Sequence, residues 1–476
     1  MLTTRHIRFN VRVVLCLLFS LCAHAAADLP PILAQTIADK GFELDGIGLF
    51  VQEVGANKPL VSFQAHKPFN PASVIKLVTT AASLGTLGVG YRWSTDVLYT
   101  GDLNRGTLNG DVYFVGNGDP YLTPERFWLL LNRLSMFGIH DIKGNVYFDD
   151  SYFRPDKVDY GAFDDQPFRT YHVGPNAVLV GFQATEFHFG VEQDQVNIVT
   201  FPASPRLRLV NKVKLVNGSC GNWQKRLTLS VDNKGDDVVV TFDGRYAREC
   251  ERRTLYRRVV ETADHFSHYF LPIWQQLGGS VGGRIQPARV PSSATSAIQE
   301  SSISLAEAIR LINKFSNNVM TRQVLLTMGA ARYQAPGTTD KGLKAVRSWV
   351  QETGVDDSVL QLDNGAGLSR DTRTSAVMLG QMLVYIYHQA YMPEFMASLP
   401  VSGYDGTMAH RFHGEPLIGR AHIKTGLLDF VQTMAGYVYA RSGKRYVVVM
   451  LHNDKQAHTK KAEALQDELI RWVYQQ

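Results

Sequence analysis

The chain has 476 residues, 45% hydrophobic and 20% charged, enough to bury more than one core; length alone points to about two to three domains. The net charge is +5, and Arg5, Arg8 and Arg12 supply three of those charges within residues 1–27, so the remainder carries only +2. That near balance, with no basic tract interleaved with aromatics, argues against a nucleic-acid partner, and no repeat or low-complexity run points to a solenoid or a disordered chain.

In chain order, the three arginines precede an apolar run over residues 13–21. Ala23-His-Ala25 and Ala25-Ala-Ala27 follow, either of which fits a small-x-small cleavage site. Residues 1–27 therefore read as a secretory signal peptide. No later stretch approaches the roughly 18–20 apolar residues of a membrane helix, so an exported protein without a stable membrane span is expected. Removal of the leader would leave Cys220 and Cys250. In an oxidising compartment such a pair most simply forms one disulfide, and two buried thiols are the other reading.

Residues 47–54 and 60–63, joined by turn chemistry at 55–58, predict a β-hairpin. After Pro71, the spacing of Val74, Leu77, Val78 and Ala81 predicts a helix over 73–84 with one buried face. Residues 91–289 have another texture: short strand patterns at 112–115, 146–148, 196–200, 207–216, 227–231 and 238–242, separated by Gly, Asn and Asp turns. A helix over 260–277 follows, then a Ser-rich linker at 292–296 and a helix over 305–312. The stretch 421–428 is strand-like, 435–440 and 445–451 form a second hairpin, and Leu465, Leu469, Trp472 and Val473 mark a closing amphipathic helix.

Three short words lie on these elements. Ser73-Val-Ile-Lys76 puts a hydroxyl and an amine on one helical face, where the amine in its neutral form can take the proton of an attacking serine. The start of the helix adds N–H donors suited to an oxyanion. Ser316-Asn-Asn318 follows a helix end, on a loop that offers a hydroxyl to relay a proton and an amide to hold a carbonyl. Lys424-Thr-Gly426 on the 421–428 strand offers an ammonium and a hydroxyl to a peptide carboxylate, with Gly leaving room for substrate backbone. The N–H of Leu427 would join that of Ser73 in an oxyanion hole. Each word alone has a bland reading: a helix cap, a helix C-terminal turn, a solvated edge lysine. Together and in this order they point to serine-based acyl transfer.

Ser73 and Ser316 are 243 residues apart, Ser316 and Lys424 108. The first gap is wide enough for whole inserted domains, so both chain ends are expected to build one catalytic domain.

With these words placed, the chain resembles the class C low-molecular-weight penicillin-binding proteins, the penicillin-binding protein 4 type or S13 peptidases. Gly116-Asn-Gly-Asp-Pro120, Asp149-Asp-Ser-Tyr-Phe153, Phe315-Ser-Asn-Asn318, Asp363-Asn-Gly-Ala-Gly-Leu-Ser-Arg370 and Leu399-Pro-Val to Asp405-Gly-Thr407 extend the likeness. The resemblance implies an α+β fold: a transpeptidase-like, serine β-lactamase-like domain (28–90 and 296–476) with a five-stranded antiparallel sheet between helices. It is interrupted by β-rich inserts, a second domain at 91–185 and 250–295 and a third nested at 186–249. It further implies a periplasmic serine D-Ala-D-Ala carboxypeptidase or endopeptidase acting on peptidoglycan stem peptides, acylated by β-lactams and needing no cofactor. Asp149 and Arg370 are similar to residues lining a pocket for the diamino-acid side chain. Departures are Leu427 in place of Thr or Ser after KTG, Asp429 where Gln occurs, and Asn364 and Ala366 where Gly and Ser are usual. Rival readings are a β-lactamase, for which no Glu-x-x-Leu-Asn word is present, and a catalytically silent wall-binding scaffold. A metal hydrolase is weaker still, since His265/His268 and His410/His413 lack carboxylate company.

Overall fold

The computed structural model describes residues 29–157, 161–234 and 237–476; the expected leader at 1–27 lies outside them. Contacts divide the chain into two units, one made of the chain up to Ala81 with Asn313–Ser316 and Arg347–Gln476, the other of Ala82–Ile312 with Asn317–Val346.

The first unit is organised by one five-stranded antiparallel sheet, in the order Ala421–Leu428, Val431–Tyr439, Arg445–Asn453, Ile47–Glu53, Val61–Phe63. The two ends of the chain meet in its middle, where Leu49 pairs with Met450 and Val51 with Val448. Because side chains alternate across a strand, Ile47, Leu49 and Val51 face one way, into a core shared with Leu33, Ile37, Leu465, Leu469 and Val473 of the first and last helices, Pro31–Lys40 and Lys460–Tyr474. The closing helix thus covers its own sheet. Gly48 and Phe50 face the other way. A Cβ on Gly380 of the Ala376–Tyr387 helix would stand 2.1 Å from the Phe50 ring, so that helix lies directly on the sheet. The α+β reading, with an antiparallel sheet between helices, holds. Both predicted hairpins and the 421–428 strand form as expected.

The second unit carries a five-stranded mixed sheet, Ile285–Pro287, Val146–Asp149, Val112–Gly116, Arg92–Tyr99, Thr295–Ser304. It packs against the helices Pro124–Phe137 and Thr262–Gln276 through Phe114, Phe127, Phe266 and Phe270. The Ser-rich stretch read as a linker instead runs into a ten-residue strand, Thr295–Ser304, antiparallel to Arg92–Tyr99. The helix Pro124–Phe137 was hidden behind the surrounding strand patterns, although Pro124 at its start and Gly138 at its end are ordinary helix punctuation. Residues 185–260 form two three-stranded sheets around a separate core centred on Phe187, Phe189, Phe242 and Tyr246. Cys220 and Cys250 are joined in a disulfide there.

Candidate active site

Ser73 sits in a 3₁₀ turn, Ala72–Ile75, that runs straight into the helix Lys76–Leu87. Three residues per turn eclipse positions i and i+3, and Lys76 Nζ lies 2.9 Å from Ser73 Oγ. The turn is held from several sides. Asn70 Oδ1 accepts the N–H of Ala72 at 2.8 Å, its Nδ2 donates to Ser369 O at 2.9 Å, and its own N–H donates to Asn453 Oδ1 at 2.7 Å. Ala72 adopts a left-handed φ of 46°, a conformation that costs a residue with a Cβ about 1–2 kcal/mol and persists only where surroundings enforce it.

Lys76 is fully buried, and its Nζ also donates to the backbone carbonyl of Ala366. Thr79 Oγ1 donates to Gly365 O at 2.7 Å. The loop carrying these carbonyls is closed by Asn364, whose Oδ1 accepts from the N–H of Ala366 at 2.9 Å and of Gly367 at 3.1 Å. Its Nδ2 donates to Leu368 O at 2.8 Å. Both departures noted in this word are thereby explained: Asn364 supplies the turn, and Ala366 contributes a backbone atom that any residue provides.

Lys424 is buried as deeply, on the edge strand, with Nζ 3.0 Å from Ser316 Oγ and 2.7 Å from Thr425 O. Burial pushes its ammonium down to about 7. Ser73, Ser316 and Thr425 are all partly exposed. The hydroxyls therefore face outward with the two amines behind them. Gly426 brings the strand and the Ser73 turn together: a Cβ there would meet Thr433 Oγ1 at 2.5 Å and both Pro71 O and Ser73 N at 2.9 Å. Thr433 Oγ1 donates to Pro71 O at 2.7 Å, tying the next strand to the same turn.

Ser316 is not on an open loop. The helix Leu305–Phe315 ends at it, Ser316 turns the chain with φ 57°, Asn317 caps the next helix through Met320 N, and Asn318 is that helix's first residue. Asn318 belongs to the second unit and Ser316 to the first. Just before the break, Lys314 Nζ holds the Asp405 carboxylate at 2.7 and 2.6 Å and Leu399 O at 2.8 Å. Two residues on from Asp405, Thr407 Oγ1 accepts from Thr425 Oγ1 at 2.8 Å. Lys314 was missed by sequence reasoning, although the Asp405-Gly-Thr407 word was visible. Nothing in a lone Lys marks it as the partner of a carboxylate 91 positions away.

The remaining expected site residues are Leu427, Arg370 and Asp149. Leu427 is 61% exposed on the outer face of the edge strand, the same face as Thr425. Arg370 Nη2 pairs with Asp429 Oδ2 at 3.4 Å, in the first unit. Asp149 is in the second unit, its carboxylate accepting from Ser151 N at 3.0 Å and Val290 N at 2.8 Å. His265 is core, bonded to Val180 O at 2.7 Å, and no cluster of three or more His, Cys, Asp or Glu with metal-ligand geometry occurs among the described residues.

A helix-flanked antiparallel sheet carrying SxxK, SxN and KTG defines the class of serine enzymes that comprises penicillin-binding proteins and β-lactamases. Within that class the chain belongs to the D-Ala-D-Ala carboxypeptidase 3 (S13) family, whose profile matches residues 31–476. It is 28% identical over 415 residues to the D-alanyl-D-alanine carboxypeptidase of Actinomadura sp. strain R39, covering 83% of this chain and 76% of that one. It shares its fold with penicillin binding protein 4 (dacB) from Haemophilus influenzae, with a TM-score of 0.76 at 22% identity, over 95% of this chain and 99% of that one. The penicillin G acylated Bd3459 predatory endopeptidase from Bdellovibrio bacteriovorus, solved with immunity protein Bd3460, matches with a TM-score of 0.53 at 13% identity, over 90% and 93% of the two chains.

Proposed function

We propose that this chain is a periplasmic serine DD-peptidase that cleaves peptidoglycan stem peptides through an acyl-enzyme on Ser73. The observation that carries the reading is the fully buried Lys76 amine 2.9 Å from the partly exposed Ser73 hydroxyl. Ser73 Oγ attacks the carbonyl carbon of the penultimate D-Ala while Lys76 Nζ, in its neutral form, takes the hydroxyl proton. The N–H groups of Ser73 and Leu427 receive the oxyanion. As the C–N bond breaks, the Ser316 hydroxyl delivers a proton to the departing amine and is resupplied by the Lys424 ammonium beside it. The proton that Lys76 took from Ser73 passes to Lys424, restoring the neutral amine and the ammonium; water then attacks the ester as Lys76 takes its proton, and Ser73 Oγ recovers that proton as the C–O bond breaks and the shortened peptide leaves.

A leaving terminal D-Ala makes the reaction a carboxypeptidase step, and a leaving cross-linked diamino acid makes it an endopeptidase step; the same atoms serve both. For Asn318 the role of holding a substrate carbonyl rests on its place two residues after Ser316. Asp149 and Arg370 keep their assignment to the diamino-acid side chain on the resemblance, and both already hold protein partners. β-Lactams present a strained amide to the same nucleophile and are expected to acylate it, as penicillin G does in the Bdellovibrio protein. The division of the inserted residues into a second domain and a nested third is supported by their two separate cores. Export is inferred from residues 1–27.

Ser73→Ala is expected to abolish both release of D-Ala from a pentapeptide and labelling by fluorescent penicillin. Release at the parent rate would refute the nucleophile. Incubation with purified muropeptides, read by mass, gives the balance between the two leaving groups.

A further inference from the structure

A cavity of about 760 Å³ opens in the second unit, far along the chain from every catalytic word. Phe168, Arg169, Asn222, Gln224, Lys225 and Arg257 line it, with Gln166 and Thr228 beside them. Its walls are fastened before any ligand arrives. Arg258 N donates to Phe168 O at 2.9 Å, which sets the Arg169 segment against the strand Arg253–Arg257. The short helix Trp223–Arg226 is anchored by Trp223 against Phe189 and Tyr246, at ring-centre distances of 5.4 and 5.7 Å. The Cys220–Cys250 disulfide ties the preceding turn to the same core.

The charges in this cavity are unbalanced. Arg169 and Arg257 are close enough to repel, and burial together with Arg169 pushes Arg257 down to about 10. Tyr171 opposes that shift, and its hydroxyl donates to Asp164 Oδ2 at 2.6 Å. Arg169 donates to Gln224 Oε1 at 3.4 Å, while its buried Nε has no hydrogen-bond partner among the described residues. Asp165, the one carboxylate of the lining, is exposed at the lip. Two half-buried guanidinium groups lining one cavity are costly unless an anion joins them, and guanidinium forks match the planar or tetrahedral oxygens of carboxylate and phosphate. Lys225 adds a third cation, and the amides of Gln166, Asn222 and Gln224, the Thr228 hydroxyl and the Phe168 face, beside Pro167, Leu227 and Leu229, supply groups that satisfy sugar hydroxyls and C–H faces.

We propose that this cavity binds an anionic saccharide, a sugar bearing a phosphate or carboxylate, with Arg169 and Arg257 on the oxyanion and Asn222, Gln224 and Thr228 on the hydroxyls. Such a site would hold the enzyme on an acidic glycan of its surroundings independently of the peptide being cut. Isothermal titration of the whole protein with glucose 6-phosphate, glucuronate and glucose tests it. Saturable binding of an acidic sugar, absent for glucose and weakened at least about tenfold in Arg169→Gln/Arg257→Gln, supports the proposal, and the stronger of the two acidic probes identifies phosphate or carboxylate as the group recognised. Asn222→Ala/Thr228→Ala, which keeps Arg169, Lys225 and Arg257, is expected to weaken the acidic sugars while leaving inorganic phosphate binding unchanged. Failure of both acidic sugars to bind, equal binding of glucose, or undiminished binding by an Arg169→Gln/Arg257→Gln protein of native thermal stability would overturn it.

Discussion

In the proposed mechanism Lys424 acts as an ammonium beside Ser316, yet it is fully buried and burial pushes its pKa down to about 7. As pH rises through that value the free enzyme loses the charge, so kcat/KM for D-Ala release is expected to fall on the alkaline side of neutrality. A bound carboxylate stabilises the ammonium, and the corresponding fall in kcat should come at higher pH. A kcat/KM that climbs through pH 7 and stays high would contradict an ammonium role. Stability has the opposite slope: the unfolded side chain keeps its proton up to 10.5, the folded one only to about 7, so the unfavourable contribution is complete below 7 and fades toward 10.5. Lys424→Met should therefore raise the melting temperature at neutral and acid pH while abolishing turnover. Ser73, Lys76, Ser316 and Lys424 were all legible in the sequence because the chemistry restricts their type and spacing. Lys314 and Asn70 were not, since their roles exist only toward distant partners.

At the scale of elements, the Ser73 turn is braced by the loop that carries Gly365, Ala366 and Gly367. Gly367 has φ +80°, and a Cβ on it would stand 2.1 Å from Ala72 O, the carbonyl just before Ser73. Gly367→Ala is expected to displace that turn and slow penicillin acylation about a hundredfold, as small misplacements of reacting groups do, with most of the fold retained. Stopped-flow labelling with fluorescent penicillin measures it, and an unchanged rate would show that the loop is not what sets the serine. The edge-strand hairpin is a second such device. Its two-residue turn is Asp429-Phe430, between the paired Leu428 and Val431, and Phe430 adopts φ 64° while 55% exposed. A turn position of this kind ordinarily favours Gly. The strand and hairpin were readable from alternation, but this strained turn and the eclipsed 3₁₀ geometry at Ser73 were not, because periodicity reports which face is buried and says little about local dihedrals.

For the whole molecule, the residues between Ser73 and Ser316 build cores of their own, and the one described disulfide lies in the more distant of them. Closing a loop with a sequence separation of 30 is worth about 3.5 kcal/mol in the chain-entropy account. Cys220→Ala/Cys250→Ala is therefore expected to lower the stability of the 185–260 region by roughly that amount, seen as an earlier transition on denaturant unfolding followed by tryptophan fluorescence. Acylation of Ser73, which lies in the other unit, should be unaffected. Loss of acylation in step with that transition would show that the two units unfold as one.

The order and spacing of three short words pointed to the reaction class, and the resemblance they carry pointed to the α+β fold. Covalent chemistry demands particular side chains in a particular order, and a sheet demands a period of two, so both leave marks along the chain. Which carbonyls restrain Lys76, how Lys424 comes to be buried behind Ser316, and where Arg169 meets Arg257 depend on contacts between residues tens to hundreds of positions apart. Burial and proximity are properties of three-dimensional packing, so the ionisation of Lys424 and the charge of the cavity lined by Arg169 and Arg257 were settled only when the chain folded.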